Sequence, residues 1–168
     1  MALLGIGSVA LACPKAGAPL LLWNASPSVP VGLYRLTSQS RLTAALAVIR
    51  LPEPFRTLAE VRGYLRAGSL LIKPVVAGPG DIVCRHGSLV TINGRTVAHA
   101  RTSDAAGRPL PDWNGCFRIA PTQIFVLSAD SDSFDSRYIG PIDRGNVVGI
   151  ALPVWVRASA LTTAPAAS

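Results

Sequence analysis

Residues 23–34 read WNASPSVPVGLY and directly follow an apolar N-terminus. Pro27 and Pro30 stand on either side of Ser28, and a proline fixes φ and cannot donate a backbone hydrogen bond. The stretch therefore predicts a stiff, exposed turn that presents one serine hydroxyl in a fixed place, with Gly32 allowing a bend after it. The alternative from these residues alone is a Ser/Pro-rich linker that follows a membrane anchor.

The chain before this turn is almost wholly apolar. Residues 1–13 carry no charge, Lys15 interrupts the run, and residues 16–23 are apolar again. A helix that spans a bilayer needs about 20 apolar residues, so the first run is too short, and the full stretch contains a lysine. We expect residues 1–23 to form an N-terminal membrane-anchor segment that is either short or truncated. A cleaved signal peptide is disfavoured because no positive n-region precedes the apolar run.

Composition limits the classes of partner. At 168 residues the chain is long enough for one domain with a proper core. Lys+Arg number 16 against Asp+Glu 9, which gives a net charge of +7, but the arginines are scattered and form no run. This pattern favours a membrane surface with anionic headgroups, and we expect no nucleic acid partner.

The rest of the chain predicts a mostly β domain at residues 24–160, with one short helix, and a flexible tail at 161–168. Thr57 and Glu60 have the spacing of a capping box, which predicts a helix from there to about Gly68. Asn93-Gly94 between two alternating runs predicts a tight β-hairpin. One or two strands are expected within residues 33–51, and further strands at 69–77, 82–84, 89–92, 95–98, 116–119, 123–128 and 146–156.

Lys73 is the one charged residue in the apolar run LLIKPVV, residues 70–76. Buried neighbours would disfavour its ammonium form and lower its pKa, and a pKa lowered by roughly two to three units would make it a base at neutral pH. The alternative is a strand lysine that points outward and extends its amine to solvent.

Residues 131–141 read SDSFDSRYIGP. Asp135 and Arg137 are two positions apart, so in an extended segment they share a face and could form an ion pair that holds the loop. By itself this polar composition predicts a surface turn.

These segments, in this order, resemble the type I signal peptidase family of serine–lysine proteases, and in particular its conjugative-transfer, TraF-type branch. The resemblance covers about residues 23–155. Four elements carry it: Asn24-x-Ser26-x-Ser28-x-Pro30-x-Gly32-Leu33-Tyr34, then Ile72-Lys73-x-Val75 with Gly78-x-Gly80-Asp81, then Ile92-Asn93-Gly94, then Ser133-Phe134-Asp135-Ser136-Arg137-Tyr138-x-Gly140-Pro141. Pro74 stands where the housekeeping enzymes have an arginine, which favours the conjugative branch.

The resemblance implies a signal-peptidase or LexA-like antiparallel β fold and a role for each motif residue. Ser28 would be the nucleophile and Lys73 its general base, a pairing that needs neither histidine nor a cofactor. The Ser28 backbone N–H and the Ser26 hydroxyl would form the oxyanion hole. Ser133 would orient the lysine, and Asp135 with Arg137 would be a structural pair near the site.

The cysteines predict a disulfide rather than a metal site. No Cys-x-x-Cys pair is present and the two histidines lack metal-ligand spacing. If the catalytic domain is exported, it meets an oxidising compartment, so we expect a disulfide between Cys84 and Cys116, each beside a predicted strand. The alternative is two buried free thiols. Cys13 would remain single in the anchor segment.

The resulting hypothesis is a membrane-associated serine endopeptidase that processes an exported protein, in this branch a conjugative pilin precursor. It would lie in the bacterial inner membrane with its catalytic domain facing the periplasm. It could also cyclise its product, because an acyl-enzyme can react with an amine as well as with water. Two alternatives remain: a LexA-like self-cleaving protein, and a non-enzymatic β-domain of an envelope assembly.

Overall fold

A computed structural model describes residues 21–38 and 45–157 of the chain. Most of the predicted anchor, residues 1–20, and the predicted tail lie outside the described residues, whereas residues 21–23 begin the first strand. Within the described ranges, no helix is both long and apolar enough to span a membrane.

The fold is mostly β, as predicted. Its strands and helices have the following bounds: β1 (Leu21–Asn24), β2 (Gly32–Thr37), β3 (Leu46–Ile49), α1 (Phe55–Val61), β4 (Leu71–Ala77), β5 (Ile82–His86), β6 (Leu89–Ile92), β7 (Arg95–His99), β8 (Gly115–Arg118), β9 (Gln123–Val126), α2 (Ser136–Ile139), β10 (Ile142–Asp143) and β11 (Val147–Val156).

The strands form two antiparallel sheets. The larger has the order β1-β2-β11-β3-β4-β9-β10, and the smaller has the order β7-β6-β5-β8. β11 is thus inserted between β2 and β3, so these two early strands lie on either side of a strand formed by residues 147–156. The predicted Asn93-Gly94 hairpin joins β6 to β7, with positive φ at both residues (49° and 79°) as a tight two-residue turn requires.

Both ends of α1 were predicted wrongly, since the helix spans Phe55–Val61 and ends well before the predicted Gly68. The helix begins at Phe55, and the carboxylate that accepts from the Thr57 N–H (3.3 Å) and hydroxyl (2.9 Å) belongs to Glu53, before the helix. Glu60 instead accepts from the Gly68 N–H at 3.1 Å, across the turn that follows the helix. The Thr-x-x-Glu spacing was therefore present without the capping box.

Gly32 has a different role from the predicted bend. It is the first residue of β2, and a Cβ built on it would overlap the Trp155 carbonyl oxygen and the Val156 Cα of β11. Only glycine lets the two strand backbones approach this closely.

Three groups of buried apolar side chains form the core. The first lies against α1, the second lies between the two sheets, and Phe134 and Ile139 pack against both. The third holds Val29, Tyr34 and Ile72 together with residues of β3 and β11. Because Val29 follows Ser28 and Ile72 precedes Lys73, this third group fixes the two segments on which the predicted chemistry depends.

Candidate active site

The segment between β1 and β2, residues 25–31, is a compact turn that we call the serine turn. Its interior is filled by the Asn24 side chain, which is 8% exposed. The amide nitrogen of Asn24 donates to the carbonyls of Ser26 (2.8 Å), Val29 (3.0 Å) and Pro30 (3.2 Å). The Tyr34 hydroxyl also donates to the Pro30 carbonyl, at 2.6 Å. The rigidity predicted from the prolines is therefore reinforced by an asparagine whose role the sequence did not reveal.

The hydroxyls of Ser26 and Ser28 are hydrogen-bonded to each other, with the two oxygens 2.8 Å apart. The three carbonyl partners of the Asn24 amide nitrogen fix which end of that side chain is oxygen, and this oxygen accepts from the Ser26 hydroxyl at 3.0 Å. Since Ser26 has one hydroxyl hydrogen, Ser28 is the donor in the serine–serine bond. The Ser28 hydroxyl is half-buried and points toward Ser26 in this structure.

Lys73 is buried in β4 with 4% of its surface exposed, so the alternative of an outward-pointing lysine is wrong. Its amine donates to the Ser133 hydroxyl at 2.5 Å. Burial lowers the pKa of Lys73 from 10.5 to about 8, and the carboxylates of Asp135 and Asp130 oppose this shift while the Arg137 guanidinium adds to it. Near physiological pH the neutral amine is therefore a minor form, but a far larger fraction than in an ordinary lysine.

Residues 128–137, which we call the buried segment, contain the predicted ion pair. The surface turn expected from their polarity is present only at Ser131 and Asp132, which are exposed. It is wrong for Ser133, Asp135 and Arg137, which are at most 5% exposed. The Asp135 carboxylate caps α2 and accepts from the Arg137 side chain at 2.8 and 3.0 Å and from the Arg137 N–H at 3.2 Å. It also accepts from the Ser128 N–H at 2.9 Å. Asp135 and Arg137 therefore pair across the first turn of a helix rather than along an extended segment.

One cavity of about 740 Å³ brings the predicted site residues together. Ser26, Ser28, Lys73 and Ser133 all line it. Within residues 21–38 and 45–157, no hydrogen bond joins Lys73 to Ser28; the lysine amine is bonded to Ser133 and the Ser28 hydroxyl to Ser26. Much of the remaining wall is apolar and comprises Leu22, Leu65, Leu70, Leu71, Ile72, Leu110 and Phe134.

Among the residues that the structure describes, the strand that carries Lys73 has an open edge at this cavity. Residues 71–74 of β4 pair with β3 on one side. On the other side β9 pairs from Val75 onward, and the Leu127 N–H donates to the Pro74 carbonyl at 3.1 Å, which leaves residues 71–73 unpaired there. Residues 71–73 line the cavity. An edge without a strand partner leaves backbone groups free to pair with an extended peptide.

Cys84 and Cys116 lie outside this cavity, in the smaller sheet. They face each other across β5 and β8 with their Cα atoms 4.0 Å apart, and the structure joins them in a disulfide. His86 lies beside them, its ring nitrogen 4.0 Å from the Cys116 sulfur. The ligand atoms of these three residues lie within 4.8 Å of one another, but sulfurs in a disulfide are not the thiolates that bind a metal ion.

Comparisons with known proteins agree with this geometry. The family described as signal peptidase, peptidase S26, matches residues 2–156. The probable conjugal transfer protein TraF of Sinorhizobium fredii is 36% identical over 143 residues, which cover 78% of this chain and 74% of that protein. A plasmid transfer protein TraF of Escherichia coli is 30% identical over 143 residues, 78% of this chain and 80% of that protein. Signal peptidase I V of Bacillus subtilis is 29% identical over 119 residues, 62% and 71% of the two chains. The chain therefore belongs to the peptidase S26 family of signal peptidases.

Proposed function

We propose that this protein is a membrane-associated serine endopeptidase in which Ser28 is the nucleophile and Lys73 the general base. The observation that carries the proposal is a buried lysine, with a pKa lowered to about 8, in the cavity that Ser28 also lines. A serine hydroxyl needs an adjacent base to become a nucleophile, and a neutral amine is such a base. Ser133 would hold the lysine in place through the hydrogen bond that their side chains form.

Catalysis on this proposal begins with a rotation of the Ser28 hydroxyl from Ser26 toward Lys73. The Ser28 oxygen attacks the carbonyl carbon of the scissile bond, and its proton moves to the Lys73 amine. The Ser28 N–H stabilises the oxyanion together with the Ser26 hydroxyl, which rotates its hydrogen from Asn24 to the oxyanion. Lys73 then returns the proton to the leaving amine, and a water activated by the same lysine hydrolyses the acyl-enzyme.

The open edge of β4 supports a polypeptide substrate. An extended chain that pairs with residues 71–73 would add a strand beside the residue that carries the base. Its side chains would contact the apolar wall of the cavity. Main-chain pairing gives affinity and the pocket gives specificity, which is what an endopeptidase that selects one site in a longer chain requires.

Two features support action at a membrane on an exported substrate. Trp23 and Trp155 are 59% and 55% exposed and stack on each other at 6.1 Å between ring centroids, next to the exposed apolar residues Leu21 and Val154. An exposed apolar patch with tryptophans suits a membrane interface. The disulfide suits an oxidising compartment such as the periplasm. Because several relatives are named as conjugal or plasmid transfer proteins, we propose a conjugative pilin precursor as the substrate.

The chemistry can be tested with N-acetyl-valine p-nitrophenyl ester, whose small apolar acyl group suits the cavity wall. The full chain should release p-nitrophenolate and acquire the acyl group on Ser28, detected by mass spectrometry of its peptides. The variants Ser28→Ala and Lys73→Arg should do neither, whereas Ser88→Ala, a change at an exposed turn between β5 and β6, should behave as wild type. Acylation that persists in Ser28→Ala would overturn the assignment of the nucleophile.

The substrate class needs a second test. A pilin precursor from the same plasmid or chromosomal region would be co-expressed with the full chain, and its mass measured. Shortening with wild type but not with Ser28→Ala would support the proposal. An unshortened precursor beside an enzyme that is active on the ester would reject the pilin and leave the chemistry standing.

A further inference from the structure

Ser128 is a buried serine that the sequence motifs did not single out. It lies two residues after β9 and is 5% exposed. Its hydroxyl donates to the Ser28 carbonyl oxygen at 2.7 Å and accepts from the Asp130 N–H at 3.1 Å. Its backbone N–H donates to the Asp135 carboxylate at 2.9 Å, and its carbonyl accepts from the Arg137 guanidinium at 2.6 Å. Ser128 thus connects the buried ion pair to the peptide unit of the candidate nucleophile.

The contact differs from the side-chain hydrogen bonds that Asn24 makes within the serine turn. The carbonyls of Ser26, Val29 and Pro30 accept from Asn24, which belongs to the same hairpin. The Ser28 carbonyl accepts instead from a residue 100 positions later in the chain. The orientation of the Ser28–Val29 peptide is therefore set by the segment that also contains Ser133, the partner of Lys73.

We propose that Ser128 is a positioning residue for the nucleophile, an inference that rests on the proposed function. Its hydroxyl fixes the Ser28 peptide relative to the segment that holds the lysine. The Ser28 hydroxyl oxygen and the Lys73 amine are thereby kept at a fixed relative position and orientation. The Asp135–Arg137 pair then acts on the nucleophile through Ser128, because both side chains bond its backbone. A displacement of about 1 Å at a reacting atom can cost about 100-fold in rate, so one hydrogen bond of this kind is enough to matter.

The proposal differs in its observable consequences from a merely structural role. Among the described residues, the Ser128 hydroxyl is hydrogen-bonded to Ser28 and Asp130 and not to the Lys73 amine. The causes of the lowered lysine pKa are burial, Asp135, Arg137 and Asp130. Loss of the Ser128 hydroxyl should therefore lower the rate at every pH and leave the midpoint of the pH profile where it is. General loosening of the buried segment would expose Lys73 and move that midpoint upward.

The experiment measures kcat and KM for N-acetyl-valine p-nitrophenyl ester, across the pH range, with the full chain. Ser128→Ala should lower kcat by about 10- to 100-fold, with KM and the pH midpoint unchanged. Ser128→Thr and Ser128→Val form a matched pair of equal shape, of which only threonine keeps the hydroxyl, so threonine should be the more active by a similar factor. This pair keeps the test valid if the alanine variant folds poorly.

The outcomes separate this inference from the function on which it rests. If wild type acylates Ser28 and the alanine, threonine and valine variants do so equally fast, Ser128 does not position the nucleophile, although the proposed function stands. If the midpoint of the pH profile moves upward in Ser128→Ala, Ser128 acts by keeping Lys73 buried rather than by positioning Ser28, and the proposal is overturned. Failure of wild type itself to acylate Ser28 would reject the proposed function, and this inference with it.

Discussion

The serine turn and the buried segment are both short, polar stretches between strands, yet they occupy opposite environments. In the serine turn, Ser26 and its neighbouring proline are exposed, and most side-chain hydrogen bonds stay within the β1–β2 hairpin. In the buried segment, Asp135 and Arg137 are 1% and 2% exposed and bond one another and Ser128. The serine turn presents a hydroxyl to the cavity. The buried segment holds the neighbouring residues in place through hydrogen bonds inside the protein.

The difference predicts that the two segments fail differently when they are altered. A hydroxyl at a cavity wall contributes little to folding, whereas an ion pair inside the protein leaves an unpaired charge when one partner is removed. Substitutions in the serine turn should therefore remove activity from a folded protein. Removal of the Asp135 or Arg137 side chain should instead first lower stability.

The largest effect is expected for Asp135→Ala. The change leaves the Arg137 guanidinium buried without its carboxylate, and should lower the free energy of unfolding by about 3–5 kcal/mol in urea titrations. The matched control is Asp132→Ala, which breaks an ion pair with Arg101 whose side chains are 67% and 53% exposed and should cost less than about 1 kcal/mol. Both aspartates lie in residues 128–137, so equal losses for the two variants would show that burial of the ion pair does not set its contribution to stability.

Ser26→Ala should come next, and its effect is on turnover. Loss of one oxyanion donor typically lowers kcat by about 10²- to 10³-fold with little change in KM. Steady-state kinetics with the p-nitrophenyl ester measure both constants, and Ser131→Ala, an exposed serine of the other segment, is the control. Normal turnover in Ser26→Ala would mean that Ser26 is a turn residue and that the oxyanion is stabilised elsewhere.

Lys73→Met should raise stability while it abolishes activity. Below about pH 8 the wild-type amine is protonated in both the folded and the unfolded chain, and burial of its charge destabilises the fold. Between about pH 8 and 10.5 the unfolded chain binds the proton more tightly than the folded chain, so the free energy of unfolding rises with pH in this window. The neutral methionine avoids a cost of about 3 kcal/mol at neutral pH. Urea titrations should show this gain, and the pH-dependent rise should disappear; a less stable variant would contradict the account.

The smallest effect is expected for the stability of Ser28→Ala. Its hydroxyl bond to Ser26 is exposed, so the free energy of unfolding should stay within about 0.5 kcal/mol of wild type. The same urea titrations measure it. A loss as large as that of Asp135→Ala would show that the serine turn is part of the folding core and would remove the contrast between the two segments.

Local chemistry made part of the fold predictable. Asn93-Gly94 specifies a hairpin because two adjacent residues tolerate positive φ, and the apolar run around Lys73 specifies a buried strand. The order of strands in the sheets was beyond this reasoning, since the insertion of β11 between β2 and β3 depends on contacts distant in sequence. The capping box predicted from the Thr57–Glu60 spacing was wrong because the Thr57 hydroxyl donates to a different carboxylate, that of Glu53.

The candidate site, like the fold, was predicted from the sequence only in part. Ser28, Lys73 and Ser133 were predicted from the family resemblance, and their shared cavity is a property of the fold. The burial of the polar segment was missed because composition records polarity but not the partners that satisfy it. Ser128 was missed because one serine among many carries no pattern, and its contact with Ser28 spans 100 positions. Asn24 belonged to the quoted motif, but its several hydrogen bonds appear only once the turn is folded.

The most direct test of the central claim is the rate of Ser28 acylation as a function of pH, measured by p-nitrophenolate release in wild type and in Lys73→Arg. With Lys73 as general base, the wild-type rate should rise with a midpoint near pH 8, where the amine loses its proton. Arginine keeps its proton at every working pH, so the variant should be inactive throughout. A flat wild-type profile, or an arginine variant that acylates Ser28 at near-normal rate, would contradict a general-base lysine.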